Sequence, residues 1–410
     1  MLLAVMGSVV VPLLLLVLDG SAQLEVAVVE RSGDLLLHSG SPYVPAPVTV
    51  ADYNPYLPGM AVFGLPHAVF GDGPLTDARW WMAGTFFLTT AAAARALARH
   101  SWAESDRRLG YRAVFHRDST PVLLWIAACP LVALPVAVGG IDLPVIGLMC
   151  WGLVAAGCGK PGRAGLLLGI GAALKWTAWP AVPVALVLVA ARHGRRQAVT
   201  CGAATTLTVS TAVLPFLLTA PGAFAENVLA FPLGLGTTAS PAESPLPGRL
   251  LAAYVPGGTL LAMVLLAVAA IGVAASLLIR PPRTVRAAAD RLAIGLALAM
   301  VLMPATRFGY LVYPLVFWAW PRLTQSVTGS PRVSRHRSPA RVPFSDATRV
   351  GPPQKDRSGT LPHLHPHPHH QQAEGREWSC STRHLTDPIG AAEEAGQKRV
   401  DPEPREEAAR

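Results

Sequence analysis

The chain has 410 residues, 51% of them hydrophobic and 14% charged, with a formal net charge of +9. Its mean hydropathy is positive, a balance that excludes an ordinary soluble globular protein and fits an integral membrane protein. The basic excess lies between apolar runs and in the C-terminal tail, so cytoplasmic retention of basic loops explains it and nucleic acid is not expected as a partner.

The first apolar run, 2 to 18, is close to the length of a membrane helix. Gly20-Ser21-Ala22 resembles a cleavage site, but a signal peptide should carry a positive n-region, which this run lacks, so it is read as a first span. Residues 19 to 80 then form one long segment carrying Glu25, Glu30, Asp34, Asp52, Asp77 and Arg79. Inside it, YNPYLPGMAVFGLP (53 to 66) is dense in aromatic residues, Pro and Gly, and its apolar part, 59 to 70, is too short to span. It either dips into the membrane edge and returns or lies as an interfacial loop held by Tyr53, Tyr56 and Phe63.

A second run, 82 to 98, leads into Arg95, Arg99, Arg107, Arg108, Arg112 and Arg117, which places that end in the cytoplasm. Runs at 120 to 138 and 143 to 157 follow, joined by GGID (139 to 142), which carries Asp142 to the outer side. Lys160 and Arg163 on one flank, and Arg192, Arg195 and Arg196 on the other, bracket residues 164 to 191. For both flanks to be cytoplasmic this stretch must enter and return, so it is expected to be a hairpin turning at Lys175-Trp176-Thr177-Ala178-Trp179-Pro180. Further runs lie at 198 to 218, 258 to 279 and 292 to 320, the last broken at PATRFGY (304 to 310), and a loop covers 219 to 250.

The fold expected is an all-α polytopic membrane protein of roughly ten membrane segments with long extracytoplasmic loops, in residues 1 to 321. Residues 322 to 410, including HLHPHPHH (363 to 370), have too few aliphatics to build a core and are expected to be a disordered cytoplasmic tail. GLLLGIGAAL (165 to 174) suits close helix packing. The sequence holds no Walker A loop, no GxGxxG after a strand, no HExxH and no CxxC. The cysteines lack zinc spacing and no acidic cluster has ligand spacing, so neither a metal nor a cofactor is expected.

On this topology Glu25, Glu30, Asp34, Asp52, Arg79, Asp142, Lys175, Arg307 and Tyr310 all fall on the extracytoplasmic side. Most outer-loop carboxylates are simply solvated. Lys175 and Arg307 differ, because a charge at a break within a membrane hairpin is costly unless it is paired or faces a polar cavity. Snorkelling to the interface is the alternative for Lys175.

The order of several segments resembles the GT-C superfamily of membrane glycosyltransferases, and most closely glycosyltransferase family 87 with its mannosyltransferase-like members. These segments are EVAVVERSGDLLLHSGSPYV, YNPYLPGMAVFGLP, GGIDLPVIGL, ALKWTAWP and PATRFGYLVYPL, and the resemblance covers about residues 1 to 321. It implies a GT-C-like helical bundle that transfers a hexose, most simply mannose, outside the plasma membrane. The donor would be a polyprenyl-phosphate sugar and the acceptor a lipid or glycan of the cell envelope. Glu25 stands where the family has a first-loop aspartate, which makes it the first candidate for the general base. Glu30, Asp34 and Asp52 are reserves, Lys175 and Arg307 would contact the donor phosphate, and Tyr310, Asp142 and Arg79 would position substrate. Glutamate for aspartate lengthens the carboxylate by one methylene. Either the pocket compensates, another acid is the base, or the chain is inactive. A transporter or flippase also builds sites from broken helices, and a non-catalytic assembly protein would use the outer loops to bind a partner.

Overall fold

The apolar runs become helices. The computed structural model describes residues 2 to 109, 120 to 232, 238 and 242 to 328, and these fall in one compact unit, Met1–Arg335. Among the described residues there is no β-strand, only an isolated bridge from Glu243 to Thr306. In chain order the helices are α1 (Leu2–Val5), α2 (Val11–Leu18), α3 (Leu24–Ser39), α4 (Leu65–Phe70), α5 (Ala78–Leu109), α6 (Thr120–Ala128), α7 (Pro130–Val138) and α8 (Asp142–Gly157). They continue with α9 (Pro161–Leu174), α10 (Ala181–His193), α11 (Arg195–Thr219), α12 (Pro221–Phe224), α13 (Pro247–Tyr254), α14 (Gly258–Ile279), α15 (Val285–Leu302) and α16 (Val312–Thr328).

The centre of the bundle is α8, which is apolar all round and buried at every residue but Trp151, as expected of a helix with neighbours on every side. It packs against α5, α9, α10, α15 and α16. The small-residue face expected in α9 brings that helix onto α11. A Cβ on Gly165 would come within 2.7 Å of the Ala204 Cβ, and one on Gly169 within 3.0 Å of the Thr205 carbonyl oxygen. Glycine here lets the two backbones approach.

Helices α11 and α14 are long and apolar enough to cross a bilayer, with 25 and 22 residues. The protein covers only 11% of the apolar window in each, leaving Leu207, Leu218, Leu260, Ile271 and Leu278 exposed. Water would solvate such faces poorly, and hydrocarbon would accommodate them. Among the described helices these two alone meet both conditions. The segments Met6–Leu18, Asp142–Gly157 and Pro161–Leu174 are apolar but shorter.

Several expectations are corrected. The segment 19 to 80 is not a bare loop, since it contains the 16-residue α3, ended by Gly40 in the left-handed region at φ 73°. Its Val26, Val29 and Gly33 face inward. A Cβ on Gly33 would lie 2.7 Å from the Gly64 Cα, so α3 meets the 3-10 helix Pro58–Gly64 backbone to backbone. That 3-10 helix buries Met60 and Ala61 and continues into α4. The run 120 to 138 is two helices, because the chain is extended at Cys129 just before Pro130. Finally, α16 continues through Arg322 to Thr328, so the ordered unit does not end at 321. The tail expected from 322 lies, from 329 onward, outside the described residues.

The two anticipated breaks are present. Both end on the same local pattern: an extended residue followed by a 3-10 turn. Lys175 (φ −157°, ψ 145°) precedes Trp176–Ala178, and Arg307 (φ −130°, ψ 143°) precedes Phe308–Leu311. The second break is fastened by Thr306, whose amide bonds Ala242 O at 3.0 Å and whose carbonyl accepts from Ser244 N at 2.9 Å.

Candidate active site

An extended residue at a helix end frees its side chain from the helical surface, and each break uses that freedom for a cation. The Lys175 Nζ donates to Asp142 Oδ1 at 2.6 Å, and the two side chains are only 10% and 12% exposed. Asp142 is the first residue of α8, where the helix dipole favours a carboxylate. The Tyr313 hydroxyl, from α16, donates to the same oxygen at 2.7 Å, and Thr177 Oγ1 contacts that hydroxyl. Two aromatic faces complete the surroundings of the ammonium, with the Tyr310 ring centroid at 4.9 Å and the Tyr56 centroid at 5.6 Å. Lys175 thus has one oxygen partner and two π faces, which hold a cation without using up its remaining donors.

The second cation, Arg307, pairs through Nη1 with Glu25 Oε1. Glu25 lies in the first turn of α3. This pair is more open than the lysine pair, with 34% of the Arg307 side chain exposed. Tyr56 is buried with its ring facing the Lys175 ammonium, and the Arg307 carbonyl accepts from Tyr310 N at 3.1 Å, so one short turn links the two pairs.

The aromatic stretch is what puts Tyr56 there. Leu57 N bonds Leu174 O at 3.1 Å, and Tyr43 OH bonds the Tyr56 carbonyl at 3.0 Å. The same stretch is held from the other side by the 219 to 250 segment. Asn54 N donates to Asn227 Oδ1 at 2.9 Å, Asn227 Nδ2 donates to Val44 O, and Tyr53 OH donates to Glu226 Oε1.

Five of the expected site residues therefore converge: Glu25, Asp142, Lys175, Arg307 and Tyr310. Four do not. Asp34 lies 3.1 Å from His38 on an exposed face of α3. Asp52 caps its own turn, accepting from Thr49 N at 2.7 Å and Val48 N at 3.2 Å. Those two amides and the Thr49 hydroxyl hold its carboxyl below the usual range. Glu30 lies five residues beyond Glu25, on a different face of the helix. There it lines a separate cavity of about 750 Å³ with His67, Asp77 and Arg79. Burial pushes its carboxyl up, and Asp77 adds to that, against the Ala78 amide that it accepts from at 3.0 Å.

Arg79, expected to position substrate, is engaged instead within the fold. Its Nε and Nη2 grip the Asp77 carboxylate, Nη1 donates to Ser21 O at 2.7 Å, and Nη2 also reaches Leu16 O at 3.4 Å. It is 2% exposed.

Tyr56, Thr177 and Tyr313 are the contributors that residue-level expectations missed. Tyr313 was in view within GYLVYPL, three residues past Tyr310 and so on the same helical side. Nothing local in the sequence pairs it with Asp142. Among the described residues no three His, Cys, Asp or Glu side chains converge as metal ligands.

Two long helices with uncovered apolar faces, together with paired charges at helix ends, mark an integral membrane protein. The sequence profile of glycosyltransferase family 87 matches residues 54–304, and the chain belongs to that family. The match takes in Tyr56, Asp142 and Lys175, while Glu25 precedes it and Arg307 follows it closely. Among solved structures, the apo crystal structure of ArnT from Cupriavidus metallidurans is similar, with a TM-score of 0.44 and 16% identity. The similarity covers 74% of this chain and 54% of that one, so the chain spans about half the length of that protein. No curated protein sequence matches it.

Proposed function

We propose that the protein is a multi-span plasma-membrane hexosyltransferase. It transfers mannose, or a close hexose, from a polyprenyl-phosphate sugar to a lipid or glycan acceptor of the cell envelope. The charged cluster faces the outside and the chain beyond α16 the cytoplasm, as the basic clusters between helices imply. The observation that carries this proposal is the meeting of two cation–carboxylate pairs, Lys175–Asp142 and Glu25–Arg307, around Tyr56 and Tyr310. Membership of a glycosyltransferase family supports sugar transfer as the chemistry.

In this mechanism the donor phosphate lies between Lys175 and Arg307. A guanidinium that binds phosphate releases part of its hold on Glu25. Arrival of the donor thereby frees the Glu25 carboxylate to take the proton of the acceptor hydroxyl. The hydroxyl oxygen attacks the anomeric carbon, forming the new glycosidic bond with inversion. The bond from that carbon to the phosphate oxygen breaks, and the polyprenyl phosphate leaves with the electron pair. Negative charge grows on the departing phosphate as this happens, and Lys175 and Arg307 stabilise it in place. Asp142 and Tyr313 hold the lysine, and Tyr310 borders the space above it.

The test uses membranes containing the full chain, incubated with radiolabelled polyprenyl-phosphate mannose and extracted envelope lipids, wild type beside Glu25→Gln. Label should move to an acceptor with the wild type and fall at least about 100-fold with the variant, the scale of a lost general base. If the wild type gave no labelled product across several polyprenyl-phosphate hexoses, the transferase would be refuted. Label that crossed a sealed membrane still attached to its donor would favour a flippase.

A further inference from the structure

A second charged cluster lies at the opposite end of the helices that carry Asp142 and Lys175, and the transfer chemistry does not use it. A cavity of about 510 Å³ opens where α5, the end of α8 and the start of α9 meet. Arg95 and Arg99 line it from α5, Lys160 and Arg163 from the start of α9, and Trp151 and Val154 form part of an apolar wall. Asp142 begins α8 and Lys160 follows its end, so at 1.5 Å per residue the two clusters are roughly 24 Å apart. That approaches the roughly 30 Å of a bilayer's hydrocarbon core.

The cations in this cavity are not held as those of the candidate active site are. Among the described residues none of the four has an ion pair, and no carboxylate lines the cavity. Arg95 and Arg99 stand four residues apart on one helix and Lys160 and Arg163 three apart at the next, spacings at which like charges repel. Two cationic walls therefore face one space, with a tryptophan and small apolar residues beside them. Tryptophan suits the level of lipid head groups, and arginine binds phosphate in a two-pronged grip. Basic pockets between membrane helices are sites for multiply charged lipid head groups. We propose that this cavity binds the head group of an anionic phospholipid carrying two phosphates, one against each cationic wall, at the membrane face opposite the candidate active site. The proposal does not depend on the transfer reaction.

Its test is a lipid titration of the purified full chain in detergent, read by native mass spectrometry, with diphosphatidylglycerol, phosphatidylglycerol, phosphatidylcholine and inorganic pyrophosphate as probes. One diphosphatidylglycerol per chain should bind at least about tenfold more tightly than phosphatidylglycerol, and phosphatidylcholine should not compete. Arg95→Gln with Arg99→Gln, and separately Lys160→Gln with Arg163→Gln, should each weaken it by about tenfold or more. The four side chains are exposed, so these variants should keep the wild-type thermal transition. Arg195→Gln with Arg196→Gln, in a different basic cluster, should change binding by less than about twofold. Three results would overturn the proposal: equal loss in that control pair, which would mean diffuse charge; no preference for diphosphatidylglycerol; or pyrophosphate binding as tightly as the lipid, which would mean a site for a soluble anion.

Discussion

Arg79 and Lys175 are both buried cations with an aspartate partner, yet they are held in different ways. Arg79 uses all three of its nitrogens on Asp77 and on the backbone carbonyls of Ser21 and Leu16, tying the end of α2 to the start of α5. Lys175 has a single oxygen partner and is otherwise faced by two tyrosine rings. A cation whose donors are taken by fixed carbonyls is part of the scaffold, whereas one faced by rings can accept a further anion. Burial alone does not separate the two roles. The number and kind of partners does.

The largest expected effect of breaking this comparison is on the scaffold side. Arg79→Gln leaves Asp77 without its counter-ion and two carbonyls poorly satisfied, and should lower stability by about 3–5 kcal/mol, the cost of breaking a buried pair. Thermal unfolding in detergent would read this, with turnover per folded molecule near that of the wild type. Lys175→Gln should show the opposite pattern. Sugar transfer should fall by about 10²–10³-fold, as when one donor to a developing negative charge is removed. The unfolding midpoint should move less, because Lys175 has a single oxygen partner to lose whereas Arg79 also releases the Ser21 and Leu16 carbonyls.

A smaller effect is expected for Tyr313→Phe, which removes one of the two donors to Asp142 Oδ1 and should cost about 1 kcal/mol. Transfer should fall by less than about tenfold, since the lysine pair remains. The smallest concerns Glu30, beside Arg79. Burial raises its carboxyl above the ordinary value of 4.5, so the folded protein binds that proton more tightly than the unfolded chain. Its contribution to stability is full below the ordinary value and is lost as pH rises through the raised one. Glu30→Gln should therefore gain stability relative to the wild type between pH 4 and pH 7, followed by thermal unfolding at stepped pH. A gain on acidification instead would mean that Glu30 is held as a carboxylate.

Much of the architecture was legible because it follows from backbone chemistry. The basic residues at both ends of 164 to 191 led to the expectation of a turn at 175 to 180, and the structure has a break there, with Lys175 extended after α9 and Pro180 at the start of α10. PATRFGY gave the second break in the same way. The helix α3 was hidden because its buried face is made of valines, Ser32 and Gly33, and its charges at Glu25, Glu30 and Asp34 read as loop. Of the three acids on α3, only Glu25 reaches the cluster, a selection made by helical phase that depends on α3 being a helix.

The contacts of Arg79 were partly legible, since Asp77, its main partner, is two residues away, a spacing at which the pair was readable as local. The contacts that define the site, Tyr313 to Asp142 and Arg307 to Glu25, join positions 171 and 282 residues apart. No local pattern encodes such pairings. They follow from how the helices pack.

The most direct measurement is the affinity of the purified full chain for a polyprenyl phosphate, comparing wild type with Lys175→Gln and Arg307→Gln at a temperature where all three are folded. If the two cations jointly hold the donor phosphate, each variant should bind at least about tenfold more weakly, the loss of one charge-assisted contact. Wild-type affinity in both variants would contradict a phosphate site at the two helix breaks.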